Sequence, residues 1–172
     1  MCDLERASVE EIGQAIPDAD AAVFAAGAGP GSGAARKLSL DRDGAIKFLQ
    51  AAIGAGVPRF VIISSMGAEA PPRGDDAFSV YLRAKAEADE AVKGSDVQWT
   101  VLRPGRLTDD PGSGRVRIES APFRGRIPRD DVAAVLAGLL RGEGFSRRVF
   151  YLNGGENTIE QALERAATFP SS

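Results

Sequence analysis

The 172-residue chain has no histidine, a single cysteine and only four lysines. Without imidazole there can be no histidine general base, no Ser-His-Asp hydrolytic site and no histidine-ligated metal. Cys2, being alone, closes no internal disulfide and builds no thiolate cluster, so a reducing, cytoplasmic setting is expected. No apolar run approaches the ~18 residues that cross a bilayer, and the start, Met1-Cys-Asp-Leu-Glu-Arg, is charged at once, unlike a leader. An excess of positive charge is missing too. The 21 Lys and Arg face 24 Asp and Glu, and the net charge of −3 gives no bulk attraction to nucleic acid. What remains, 44% hydrophobic and 26% charged, is the balance of a soluble globule. The length suits one domain over residues 1–172.

The punctuation alternates short apolar strands with amphipathic helices. Ser8 with Glu11 three positions on forms a capping-box pattern at a helix start. Ala21-Ala-Val-Phe-Ala-Ala26 reads as a buried strand, followed by the glycine-rich run Gly27-Ala-Gly-Pro-Gly-Ser-Gly33. Pro30 and the polar stretch after it, Ala35-Arg-Lys-Leu-Ser39, make that run a flexible loop rather than a phosphate cradle. From Asp41 to Ala55, Ile46, Leu49, Ala52 and Ile53 recur at helical spacing. Phe60-Val-Ile-Ile-Ser-Ser65 is the strongest strand, and a helix follows from about Ser79 to Val92. Gln98 to Arg103 is another strand, closed by Pro104-Gly105; Val116 to Ile118 and Val149 to Asn153 are later ones. Helices start at Asp130 and Ile159. Strands separated by single helices imply right-handed crossovers and an α/β fold with a parallel sheet covered on both faces. Ligands of such sheets sit at the carboxyl ends of the strands, here Gly27, Ser64–Ser65 and Pro104–Gly105.

Tyr81-Leu-Arg-Ala-Lys85 is the focal chemistry. Residues at i and i+4 share one helix face. A tyrosine titrates near ~10 and is a poor base at neutral pH unless a cation stabilises its phenolate, which a nearby lysine can do. Ser65, at the end of the preceding strand, is placed to hydrogen-bond the same substrate oxygen. An exposed amphipathic helix can carry this spacing with no function. The strand-end serines before it and the strand ending in Pro-Gly after it favour a proton-transfer site for a carbonyl or carbinol.

Phe60-Val-Ile-Ile-Ser-Ser-Met-Gly-Ala, Tyr81-Leu-Arg-Ala-Lys-Ala-Glu-Ala-Asp and Thr100-Val-Leu-Arg-Pro-Gly-Arg-Leu-Thr together resemble the atypical short-chain dehydrogenase/reductase family, close to its NAD-dependent epimerase/dehydratase-like members. The resemblance runs from Asp3 to about Ala167 and implies a Rossmann-like, doubly wound parallel sheet binding NADP or NAD. By position it implies that Asp3 and Leu4 contact the adenine and that Ala25, Ala26 and Gly27 pass beside the cofactor. Asp41 falls where many members place an active-site asparagine. Ser65 matches the catalytic serine with Ser64 as the fallback, Tyr81 the proton donor or acceptor, and Lys85 the ribose-binding, phenol-tuning lysine. Pro104, Gly105, Arg106 and Leu107 match the loop over the nicotinamide.

The departure is at the front. Met1-Cys2 directly precedes Asp3-Leu4, so the family's first two strands, first helix and glycine-rich turn are absent and the fold is expected to be N-terminally incomplete. That leaves the strand at residues 21–26 as an edge, a place where a second copy of the chain could pair to form a homodimer. The expected function is an NAD(P)-dependent oxidoreductase or epimerase acting on a small carbonyl or hydroxyl substrate. The alternative is a dinucleotide-sensing or partner-binding protein without turnover, or an inactive short form. Arg115, Arg117, Arg124, Arg126 and Arg129 read as a solvated basic face, the Asp75-Asp76 and Asp130-Asp131 pairs as helix caps, and Trp99 as core. No metal site is expected.

Overall fold

The computed structural model describes residues 2–29 and 31–170; Met1 and Pro30, named above, lie outside them. The chain divides into two compact units, Met1–Trp99 and Thr100–Ser172.

In the first unit, α1 (Val9–Gln14) begins at the capping box read from the sequence. The Ser8 hydroxyl accepts from the Glu11 amide, and the Glu11 carboxylate accepts from the Ser8 amide. Strand β1 (Ala22–Phe24) is shorter than the apolar run 21–26. It pairs in parallel with β2 (Arg59–Ile63) in the register Ala22–Phe60, Val23–Val61, Phe24–Ile62, and it is the terminal strand of its sheet.

The segment after the glycine loop differs from the sequence reading. It is helical from Gly33 rather than from Asp41: α2 (Gly33–Arg36), a π-helical stretch (Lys37–Gly44) and α3 (Ala45–Gly54) follow one another without a break. Ala34, Ala35, Arg36, Lys37 and Leu38 are good helix formers, and Leu40 and Asp41 are buried, so the polar stretch 35–39 is helical. A π stretch of eight residues is uncommon and recurs at functional sites; here it carries both Lys37 and Asp41. Phe48 of α3 packs between Phe24 and Phe60, with ring centroids 6.3 and 5.7 Å apart, fixing the helix on the β1–β2 pair.

Helix α4 (Ala77–Lys93) starts two residues before the expected Ser79. Asp76 is its N-cap, accepting from the Phe78 and Ser79 amides at 3.0 Å and from the Ser79 hydroxyl. These bonds hold the Asp76 carboxyl below its ordinary range, the Ser79 hydroxyl contributing most. Asp76→Ala is expected to lower the urea midpoint of unfolding through loss of the helix cap.

In the second unit, β3 (Gln98–Pro104, of which Thr100–Pro104 lie here) pairs in parallel with β7 (Arg148–Gly154). Within the expected, mostly parallel sheet, β5 (Arg115–Glu119) is an exception, running antiparallel to β7 and to β8 (Asn157–Thr158). No crossover helix lies between β3 and β5, only β4 (Arg106–Thr108) and a Gly/Ser turn, so the chain comes back in the opposite direction. Strand β4 pairs with β6 (Arg126–Pro128) in a separate parallel ribbon that the sequence did not reveal. Helices α5 (Arg129–Arg141) and α6 (Ile159–Ala167) complete the unit. Asp131 does not cap α5, whose N-cap is Pro128 with no side-chain cap bond; it accepts from the Ser113 amide and hydroxyl and the Gly114 amide at 2.8–2.9 Å, clamping the turn before β5.

Candidate functional site

The carboxyl end of β2 and one face of α4 bring the expected first-unit residues together. Tyr81 is half-buried, with the Ser65 side chain close enough to its phenol to favour the phenolate. The Ser65 hydroxyl also donates to the Met66 carbonyl at 3.1 Å. One turn along α4, the buried Lys85 places its ammonium 5.9 Å from the Tyr81 ring centroid and 5.5 Å from that of Phe24.

The two adjacent serines are separated by their partners. Ser64 is 3% exposed, and its hydroxyl donates to Asp89 Oδ2 at 2.7 Å. That commits the Ser64 hydroxyl to the protein interior, while Ser65 is the serine that meets the phenol. Asp89 itself was missed in the sequence. Its signal is simple in retrospect: Tyr81, Lys85 and Asp89 are spaced by four and lie along one helix face.

Asp41 reaches the site from the π stretch. Fully buried, it faces the Lys85 ammonium at 3.3 Å and accepts from the Ala28 amide at 3.1 Å. A Cβ on Gly27 would stand 3.2 Å from Asp41 Oδ1, so glycine allows the strand-end backbone to approach this carboxylate. Lys85 also donates to the Ile63 carbonyl at 3.1 Å. The Ile63 bond uses one of the three N–H groups of the ammonium, which is free to donate to a further partner.

These contacts change the electrostatics expected from the Tyr-x-x-x-Lys spacing. The Tyr81 phenol is not depressed but raised above its ordinary value of 10.0, first by burial and then by the Asp41 and Asp89 charges, against the lowering effect of Ser65. Lys85 cannot act as a lone tuning cation because Asp41 offsets its charge; burial lowers its own pKa. A phenol raised in the folded state keeps its proton longer than in the unfolded chain. Its contribution to stability is therefore full below pH 10 and is lost as pH rises through the folded value. Wild type should lose stability more steeply than Tyr81→Phe above pH 10 in urea titrations, whereas parallel curves would show that the phenol is unshifted.

The other expected residues make contacts of their own. Asp3 is exposed in a turn, where its carboxylate accepts from the Glu5 amide at 3.0 Å. The carbonyls of Leu4 and Ala7 take the Lys47 ammonium at 2.9 and 3.0 Å. Ala25 and Gly27 are exposed and Ala26 is half-buried at the end of β1. Pro104–Leu107 is not a free loop, because Pro104 ends β3 and Arg106 and Leu107 belong to β4. Gly105 is fixed there: its amide donates to the Leu152 carbonyl at 3.0 Å, and a Cβ would collide with the Asn153 side chain and the Gly125 carbonyl. Of the arginines, Arg117 pairs with Glu119 at 2.9 Å and Arg129 with Asp109 at 2.8 Å, consistent with a solvated face. Among the described residues, no group of three His, Cys, Asp or Glu is disposed to hold a metal ion, and no helix is long and apolar enough to cross a membrane.

Residues 1–143 match the family described as NAD(P)H-binding. The uncharacterized sugar epimerase YhfK of Bacillus subtilis is 37% identical over 158 residues, covering 92% of this chain and 74% of that protein. Among solved structures, a Bacillus halodurans protein assigned to the NAD-dependent epimerases/dehydratases is 35% identical with a TM-score of 0.85, over 92% of this chain and 76% of that one. The oxidoreductase ylbE of Lactococcus lactis is 28% identical with a TM-score of 0.83, over 95% and 74%. These likenesses carry the Rossmann-type α/β fold.

Proposed function

Since this chain belongs to the NAD(P)H-binding family, within its epimerase- and oxidoreductase-like branch, we propose that it exchanges a proton between Tyr81 and the oxygen of a small carbonyl or hydroxyl substrate in an NAD(P)-dependent reaction. The observation that carries this reading is the placement of Tyr81 beside Ser65 at the carboxyl end of β2, one helical turn from Lys85.

The donor set fits a nicotinamide ribose. Lys85 retains N–H capacity beyond its bond to the Ile63 carbonyl, and the backbone of Ala25–Gly27 is accessible at the end of β1. Lys85 would hold the ribose hydroxyls, Ala25–Gly27 would line the cofactor, and Asp3 and Leu4 would serve the adenine end. The bound nicotinamide supplies or accepts the hydride. Tyr81 handles the proton. With its phenol raised it is fully protonated at neutral pH, the form that donates to a carbonyl oxygen. In that direction the Tyr81 O–H bond breaks, a substrate O–H bond forms, and the phenolate recovers its proton from water. Ser65, beside Tyr81 and bonded to the Met66 carbonyl, holds the acceptor oxygen in line. Asp41 fixes the Lys85 ammonium and so the position of the ribose.

Calorimetric titration of NADPH and NADH into the chain tests the premise. Saturable one-to-one binding of at least one of them is expected. Absence of heat with both, together with unchanged Trp99 fluorescence, would contradict it.

A further inference from the structure

Lys37 is one of three lysines, with Lys47 and Lys93, that neither the sequence motif nor the family assignment uses. It opens the π stretch, four residues before Asp41, and its ammonium stands 5.2 Å from the Tyr81 ring centroid, nearer than the 5.9 Å of Lys85. Lys37 also donates to the Gly29 carbonyl at 2.6 Å, which ties the glycine loop to the same place. Among the described residues, no carboxylate lies within ion-pair distance of Lys37.

The charges around the phenol make this position consequential. Asp41 and Asp89 both oppose a phenolate at Tyr81. Lys85 is held against Asp41 at 3.3 Å, so its positive charge is largely spent there. The remaining charges on the packed elements are turned elsewhere: Arg42 to Asp43 and Glu87, Arg36 to Glu5, and Arg83 to the Pro72 and Gly74 carbonyls. Phe78, the other neighbour of the ring at 6.1 Å, carries no charge.

We propose that Lys37 is a positioning residue of the Tyr81 site, whose ammonium offsets the negative charge that Tyr81 acquires when it gives up its proton. The inference rests on Tyr81 being the proton-exchanging group. It divides the work of the two lysines, with Lys85 bound to Asp41 and the ribose end, and Lys37 answering to the phenol. The division follows from the π stretch, which brings Lys37 and Asp41 of one helical segment to opposite charges at one site.

The test reads the phenol directly, without cofactor or substrate, so its outcome is separate from whether the chain turns over a carbonyl. The chain has two tyrosines, Tyr81 and Tyr151. Replacing both with difluorotyrosine moves their titration toward neutral pH, where the fold is intact, and gives one fluorine signal for each, assigned with Tyr151→Phe. Lys37→Met is expected to raise the Tyr81 midpoint by about one pH unit, the order given by one charge at this distance in a half-exposed setting. Lys37→Arg should leave the midpoint within a few tenths of a unit, and the Tyr151 signal should not move in either variant. The Lys37 side chain is half-exposed, so the variants should fold, and the Tyr151 signal reports it if they do not. An unmoved Tyr81 midpoint in Lys37→Met, equal shifts in the methionine and arginine variants, or a Tyr151 signal that moves with Tyr81 would each overturn the proposal.

Discussion

Lys85→Met is expected to destabilise the chain by about 3–5 kcal/mol, lowering the melting temperature by roughly 10 °C. The lysine is 3% exposed and Asp41 is fully buried, so the substitution leaves a carboxylate in the interior facing methionine. Burial of the ammonium is itself costly, as the lowered pKa of Lys85 records, and the favourable part is the pairing. The loss should therefore come mostly from the orphaned partner. Adding Asp41→Asn to Lys85→Met removes the stranded charge and keeps an acceptor for the Ala28 amide, so more than half of the lost stability should return. Urea unfolding of the single and double variants checks this. A double variant no more stable than Lys85→Met would show that Asp41 and Lys85 are not energetically coupled.

Tyr81→Phe is expected to reduce turnover by about 10²–10⁴-fold, the usual contribution of a positioned general acid or base. Phenylalanine keeps the ring, its stacking on Phe78 and its contacts with the Lys37 and Lys85 ammonium groups. Cofactor affinity, measured by calorimetry, should then change less than about threefold, because no cofactor contact is assigned to the hydroxyl. Ser65→Ala should fall between the variant and wild type, since it removes the orienting partner and leaves the proton. A Tyr81→Phe protein with wild-type kcat on any substrate of the chain would remove the phenol from the mechanism.

The features readable in the sequence were those set by neighbours along the chain. The Ser8–Glu11 box, the Asp76 cap and the four-residue spacing of Tyr81 and Lys85 depend on local geometry, and each has its counterpart in the structure. What could not be read depends on long-range partners. Ser64 and Ser65 are equivalent in sequence; only the buried Asp89 and the half-buried Tyr81 separate them. The raised phenol of Tyr81 follows first from its burial and then from Asp41, forty residues earlier, neither of which the Tyr-x-x-x-Lys motif records. The polar appearance of Ala35 to Ser39 concealed a helix, because the surface face of an amphipathic helix reads much like a loop when its buried residues, Leu40 and Asp41, come only at its end. Strands β4 and β6, three residues each, are too short for alternation to register.

The most direct test of the account is a crystal structure of the chain grown with NADPH. The prediction is a ribose hydroxyl within hydrogen-bonding distance of Lys85 Nζ and a nicotinamide ring beside the Tyr81 hydroxyl, with the Ser65 contact retained. Cofactor bound with its nicotinamide away from the end of β2, or Tyr81 turned from Ser65 to solvent in the complex, would contradict it.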